Sequence, residues 1–319
     1  MNKDQISVIQ DIKTRALERE ANRLEKKYGK KATKRIKELI GMGPGGLVQL
    51  LECPFMIDDL VLSDSLTKML NDFIFEARDR KQLWENKKIR RLFPTGRGMI
   101  GLLSGPGGTG KTMTARIIAS ELSLDLYRID LAMVLNKYLG ETQKSLDNIL
   151  SWAEGQDILL FFDEADALFG KRSEVSDAHD RYANIETNFL INSIEKYNGL
   201  ALLATNVKSN IDSAFIRRLR YVLDFPMPEA EERYQIWKKI SNEIIEEKDN
   251  KEEIQRKLKI IAEKIDLSGS QIKASLLLAK LIALKDEESL SVNHIIQGVE
   301  VELIKEGQSL SKEEIDILQ

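Results

Sequence analysis

Gly105-Pro106-Gly107-Gly108-Thr109-Gly110-Lys111-Thr112 matches the spacing G-x-x-x-x-G-K-[ST] at every position, between an apolar stretch and a helical pattern. Its glycines let successive backbone N–H groups turn toward phosphate oxygens. The N-terminus of the helix that follows adds roughly half a positive charge along its axis. In such a loop Lys111 reaches the β and γ phosphates and Thr112 ligates magnesium, and Met113 at the next position joins the nucleotide-contacting set. An ordinary glycine-rich turn would require strand, helix, lysine and hydroxyl to coincide by chance.

A bound nucleotide becomes a substrate only if a metal is held and a water is activated. Ile158-Leu159-Leu160-Phe161-Phe162-Asp163-Glu164 is an apolar strand carrying two carboxylates to its C-terminal end. Asp163 suits the Mg²⁺ shell, and Glu164 suits orienting and deprotonating the attacking water. Asp166 reads as a cap on the helix that follows rather than as part of the chemistry. A second strand ends in Ala204-Thr205-Asn206, where Asn206 offers a carboxamide to hold the water opposite Glu164. Arg217, Arg218 and Arg220 follow just before another apolar run. Phosphoryl transfer needs positive charge on the γ phosphate beyond lysine and metal, and an arginine supplies it.

Positioning these groups demands alternating strands and helices. Residues 99–104, 126–130, 158–163, 200–205 and 221–225 read as buried strands with helical stretches between them. This predicts an α/β fold with a five-stranded parallel sheet covered on both faces, because parallel neighbours need crossover connections. Ligands then gather at the carboxyl ends of the strands. After Met227-Pro228 no strand signal remains, and Ile272, Leu276, Ala279 and Ala283 form a stripe at helical spacing, which predicts a small helical lid. Residues 1–50 are helix-prone and close on the breaker Gly41-Met42-Gly43-Pro44-Gly45-Gly46. The expected organisation is therefore a helical N-terminal region (1–50), an α/β nucleotide-binding domain (51–228) and a C-terminal helical lid domain (229–319).

Composition narrows the partners. Among 319 residues, 48 Lys+Arg against 51 Asp+Glu give a net charge of -3, which provides no global attraction to nucleic acid or membrane. The basic cluster Arg23, Lys26, Lys27, Lys30, Lys31, Lys34, Arg35 and Lys37 lacks interleaved aromatics and fits a solvated helix face better than a stacking platform. A single Cys53 permits no internal disulfide and no cysteine metal site, and His179 and His294 are the only histidines, too few for zinc. No signal-peptide pattern opens the chain, and no apolar run is long enough to span a bilayer, so a soluble, cytoplasmic protein is expected.

In the order phosphate loop, Asp-Glu strand, strand-end Asn, arginines before a Phe-Pro-x-Pro strand end and helical lid, the chain resembles an AAA+ ATPase of the AAA family proper, over about residues 57–285. The likeness is to stand-alone bacterial or phage-type members. It implies a P-loop NTPase that binds ATP and Mg²⁺ and works as a ring, usually a hexamer, with each nucleotide at a subunit interface. Arg217 and Arg218 become arginine fingers acting on the neighbour; here they are adjacent, where the family separates two arginines by Pro-Gly, so either could reach the phosphate. Gly107 stands where the family commonly has Pro. Leu60 and Val61 resemble the segment that touches adenine, and Gly269 lies in the likeness of the lid's nucleotide-facing helix start. The arginine that many AAA+ clades carry there is absent; Lys273 is nearby. Lys137, Tyr138, Leu139 and Gly140 resemble a substrate pore loop, and the region 171–184 corresponds to a second one.

The leading expectation is an ATP-dependent ring that remodels, disassembles or threads protein substrates. Two alternatives stay open: a nucleic-acid motor or loader using the basic helix, and a scaffold whose assembly is gated by nucleotide. No H-E-x-x-H occurs, so the zinc-protease branch of the family does not fit.

Overall fold

The computed structural model describes residues 48–92, 98–131, 141–168, 191–207, 213–217, 219–246 and 249–311. In chain order the α/β part comprises β1 (Val48–Leu51), α1 (Asp64–Glu85), α2 (Lys87–Leu92), β2 (Met99–Ser104), α3 (Lys111–Glu121), β3 (Asp125–Asp130), α4 (Glu141–Ala153), β4 (Ile158–Asp163), β5 (Leu200–Thr205), α5 (Ser213–Ile216) and β6 (Tyr221–Asp224). The strands form one sheet in the order β1-β3-β4-β5-β2-β6. All pairs are parallel except β1 with β3, which is antiparallel.

The five parallel strands match the segments expected from apolar runs, with ends shifted by one residue at β3 and β6. The sheet nevertheless has a sixth strand, so the expected five-stranded count needs correction. β1 is only four residues long, too short for a two-residue period to show, and its place is decided by pairing with β3 from Val48↔Ile129 to Leu51↔Leu126. It also crosses the position between residues 50 and 51 where the α/β domain was expected to begin.

The period of two sorts β4 across the sheet. Leu160 and Phe162 pack on one face with Ile149 and Leu150 of α4, whereas Leu159 and Phe161 pack on the other with Phe73 of α1 and Ile118 of α3. A strand buried on both sides leaves no polar face, which is why these segments appear as continuous apolar runs.

Beyond Pro228 the chain forms α6 (Ala230–Ile244), α7 (Lys251–Lys264), α8 (Gly269–Lys285) and α9 (Val292–Lys305). They enclose a hydrophobic cluster separate from those of the sheet, containing Trp237, Leu258 and all four residues of the expected stripe, Ile272, Leu276, Ala279 and Ala283. Buried Arg233 ties this unit together, donating to the carbonyls of Ala262 (2.8 Å) and Pro228 (2.6 Å) and pairing with Asp266 at 2.8 Å. Among the described residues no helix is long and apolar enough to cross a membrane.

Candidate functional site

Register brings the motifs together. Ser104 pairs with Thr205 on one side and Asp224 on the other, and Asp163 lies opposite Asp130. Gly105, Glu164 and Asn206 each follow the last residue of a parallel strand, so all three emerge at the same edge of the sheet.

The phosphate loop is clamped at both ends. Gly105 donates its N–H to Thr205 O (3.2 Å), and a Cβ there would lie 2.0 Å from Phe225 O, so the loop leaves β2 through a space only glycine fits. Gly108, at φ +78°, meets the lid: its carbonyl accepts from Ser270 N (3.1 Å), and an added Cβ would lie 2.1 Å from Ser270 Oγ. Thr109 Oγ1 donates to Pro106 O at 2.9 Å, bracing the loop across its own turn. Lys111 and Thr112 open α3, the helix N-terminus that the sequence pattern called for. The Lys111 ammonium donates to Gly105 O (2.6 Å) and Pro106 O (2.7 Å), carbonyls that can exchange it for phosphate oxygens. Burial pushes its pKa down, and the charges of Asp163 and Asp166 oppose that shift.

The acidic edge is more constrained than the sequence suggested. Glu164 is exposed and sits at φ +54°, a left-handed backbone that costs a non-glycine residue about 1–2 kcal/mol. Strain of this kind persists where surrounding structure imposes it. Asp163 accepts the Glu164 N–H at Oδ1 (3.1 Å), and its Oδ2 lies 3.2 Å from Arg128 Nε. Asp166 does more than the sequence suggests. Besides standing in the first turn of the 3-10 segment Ala165–Leu168, it has a carboxylate that accepts from the Thr205 hydroxyl and from Asn206 N (3.2 Å). Asp166 therefore holds the end of β5 where Asn206 leaves it. Sequence reading missed this because the partners lie 39 residues apart and meet only through sheet pairing.

The donor set suits a hard cation. Thr112 offers a hydroxyl and Asp163 a carboxylate, and among the described residues no group of three or more His, Cys, Asp or Glu side chains could hold a metal alone. Magnesium binds in this manner, through one or two protein oxygens completed by water and substrate phosphates.

Of the arginines, Arg217 is exposed, and Arg220 pairs through Nε with Glu76 Oε2 of α1 at 3.0 Å, beside the Tyr221 hydroxyl that donates to the same oxygen (2.9 Å). Val61 lines a cleft with Thr109, Phe225, Ile236 and Gly269, joining the expected base segment, the loop and the lid. Leu60 lines the adjoining cleft with Ile57 and Lys239, and its Cδ2 comes within 3.9 Å of where a Cβ on Gly110 would sit. Lys239 of α6 donates to the carbonyl of Asp58, fastening this segment to the lid. Lys273 lies over Phe55, 6.0 Å from the ring centroid. Arg218, the pore-loop residues Lys137, Tyr138, Leu139 and Gly140, the region 171–184 and the basic cluster before residue 48 lie outside the described residues.

The chain matches the model of the ATPase family associated with various cellular activities (AAA) over residues 101–227. It is 33% identical over 186 residues to an uncharacterised AAA family ATPase, y4kL, of Sinorhizobium fredii, covering 57% of this chain and 53% of that protein. It is 32% identical over 144 residues to 26S proteasome regulatory subunit 10B homolog A of Arabidopsis thaliana, covering 43% and 36%. The chain thus spans about half or less of the length of these curated relatives. In fold it is similar to the FIGL-1 AAA domain solved in complex with ADP, with a TM-score of 0.62 at 18% identity over 88% of this chain and 94% of that one.

Proposed function

We propose that the chain is a ring-forming, Mg²⁺-dependent ATPase that remodels, disassembles or threads protein substrates. The observation that carries this reading is the meeting, at one sheet edge, of the phosphate loop, the Asp163–Glu164 pair and the Asn206 strand end, with the lid helix α8 hydrogen-bonded to the loop at Gly108. Similarity to a proteasome regulatory subunit supports protein rather than nucleic acid as the substrate class.

In this reading Gly105 to Thr112 wrap the phosphates, Lys111 neutralises the β and γ oxygens, and Val61, Leu60 and Gly269 border the adenine. A magnesium ion held by Thr112 and Asp163 would supply charge neutralisation at the transferring phosphate. Glu164 takes the proton of the attacking water while Asn206, held through Asp166, fixes its position. Arg217 or Arg218 enters the neighbour's site, and Tyr138, Leu139 and Gly140, next to Lys137, grip polypeptide through an aromatic ring that needs no particular sequence.

Replacing Glu164 by Gln tests the chemistry. Phosphate release should fall by about 10²- to 10⁴-fold while nucleotide binding persists. Undiminished turnover would remove Glu164 from the proposed role. Tyr138→Ala tests the substrate: it should spare basal turnover and abolish processing of a denatured protein, and intact processing would refute threading.

A further inference from the structure

Arg128 is a charged residue inside a buried strand. Its neighbours Tyr127 and Ile129 are core residues, and its partner across β3 and β4 is Phe161. A guanidinium in that setting costs stability unless a carboxylate answers it. The carboxylate is Asp163: Nε and Oδ2 are 3.2 Å apart, with the side chains 35% and 20% exposed. Nε itself is buried and makes no hydrogen bond, so charge rather than an aligned hydrogen bond holds the pair. Register explains the reach, since Arg128 lies opposite Phe161 and Asp163 is the next residue of β4 on the same face.

We propose that Arg128 is the resident counter-charge of the metal-binding carboxylate and sets the magnesium requirement of the site. This deepens the functional reading above and rests on its assignment of Asp163. With Glu164 N–H on one oxygen and Arg128 beside the other, Asp163 is held in place and part of its charge is already answered before a metal enters. A free divalent cation therefore meets a weakened field at the strand end. A cation carried by a triphosphate brings its own anionic ligands and does not depend on Asp163 alone. Arg128 in this way couples metal entry to nucleotide entry. It is a positioning residue that acts through Asp163.

The test measures binding rather than turnover. A fluorescent ATP analogue is titrated onto the full chain across a range of free Mg²⁺, and in EDTA, for the wild type, Arg128→Met, Arg128→Gln and Arg128→Lys. Arg128→Met and Arg128→Gln should lower the Mg²⁺ concentration for half-maximal enhancement of binding by about threefold to tenfold, the range of a partly exposed ion pair. Affinity in EDTA should stay unchanged, and Arg128→Lys should keep the wild-type requirement. In an Asp163→Asn background the Arg128 substitutions should have no effect. An unchanged or raised Mg²⁺ requirement in either neutral variant overturns the proposal; if Arg128→Met fails to fold, Arg128→Gln decides. Failure of the wild type to bind the analogue at all would instead sink the nucleotide-binding reading.

Discussion

Several single side chains hold positions that their own chemistry does not require. Asp166 spends both carboxylate oxygens on the end of β5, one on the Thr205 hydroxyl and one on Asn206 N. Asp166→Ala leaves those donors unanswered and should cost about 1–3 kcal/mol in chemical denaturation. Because Asn206 then loses its anchor, kcat should fall with nucleotide affinity retained; loss of stability alone would confine Asp166 to a structural role. A second prediction concerns alkaline pH. Burial pushes Tyr127, Tyr197 and Tyr221 up to about 12, with Glu76 adding to the shift at Tyr221. The folded state thus binds these protons more tightly than the unfolded chain, whose tyrosines titrate near 10. Their contribution is complete below pH 10 and is lost as the pH rises toward 12. Of the seven tyrosines, these three should ionise only as circular dichroism shows unfolding, and full tyrosinate absorbance near pH 10 in the folded protein would contradict it.

Between elements, the junction that bears on the site is that of lid and phosphate loop. Ser268 caps α8 by accepting from Gln271 N (3.4 Å), Gln271 answers by accepting from Ser268 N (2.7 Å), and Ser270 then donates its own N–H to Gly108. The helix start is thereby fixed against the loop. Gly108→Ala would set a methyl 2.1 Å from Ser270 Oγ at a backbone angle that L residues rarely adopt. It should lower nucleotide affinity by about fivefold or more, as overpacking at a tight contact costs about 1–3 kcal/mol. Equilibrium binding checks this, and wild-type affinity would mean that the lid contact is incidental. At the opposite edge of the sheet, Glu76 binds Arg220 and Tyr221 and so fixes the chain that leads out of the arginine segment into β6.

For the whole molecule the question is whether one chain completes a site. Arg217 is exposed and the resemblance puts an arginine into a neighbour's nucleotide, so the ring reading makes assembly a condition of turnover. Glu164→Gln with saturating Mg-ATP should sediment as a multiple of the monomer, and loss of both Arg217 and Arg218 should reduce turnover by about 10³-fold or more, the loss expected on removing an arginine finger. A monomer that hydrolyses ATP at full rate without them rules out the shared site.

The amino-acid order alone determined the motifs of the candidate site and the parallel sheet, for a local reason. The residues from Gly105 to Thr112 are contiguous, the Asp163–Glu164 pair ends its own apolar strand, and strands buried on two faces are apolar throughout. The same holds for the lid stripe, whose helical spacing survives in the buried cluster around Ile272 and Leu276. Tertiary structure alone decided that Val48–Leu51 pairs with β3, that Asp166 serves Asn206, that Arg128 answers Asp163 and that Glu76 anchors a residue 145 positions away. A strand of four residues has too little period to declare its face. A lone charge has no local pattern that names its partner; sheet register, set by burial along whole strands, chooses which distant side chains meet.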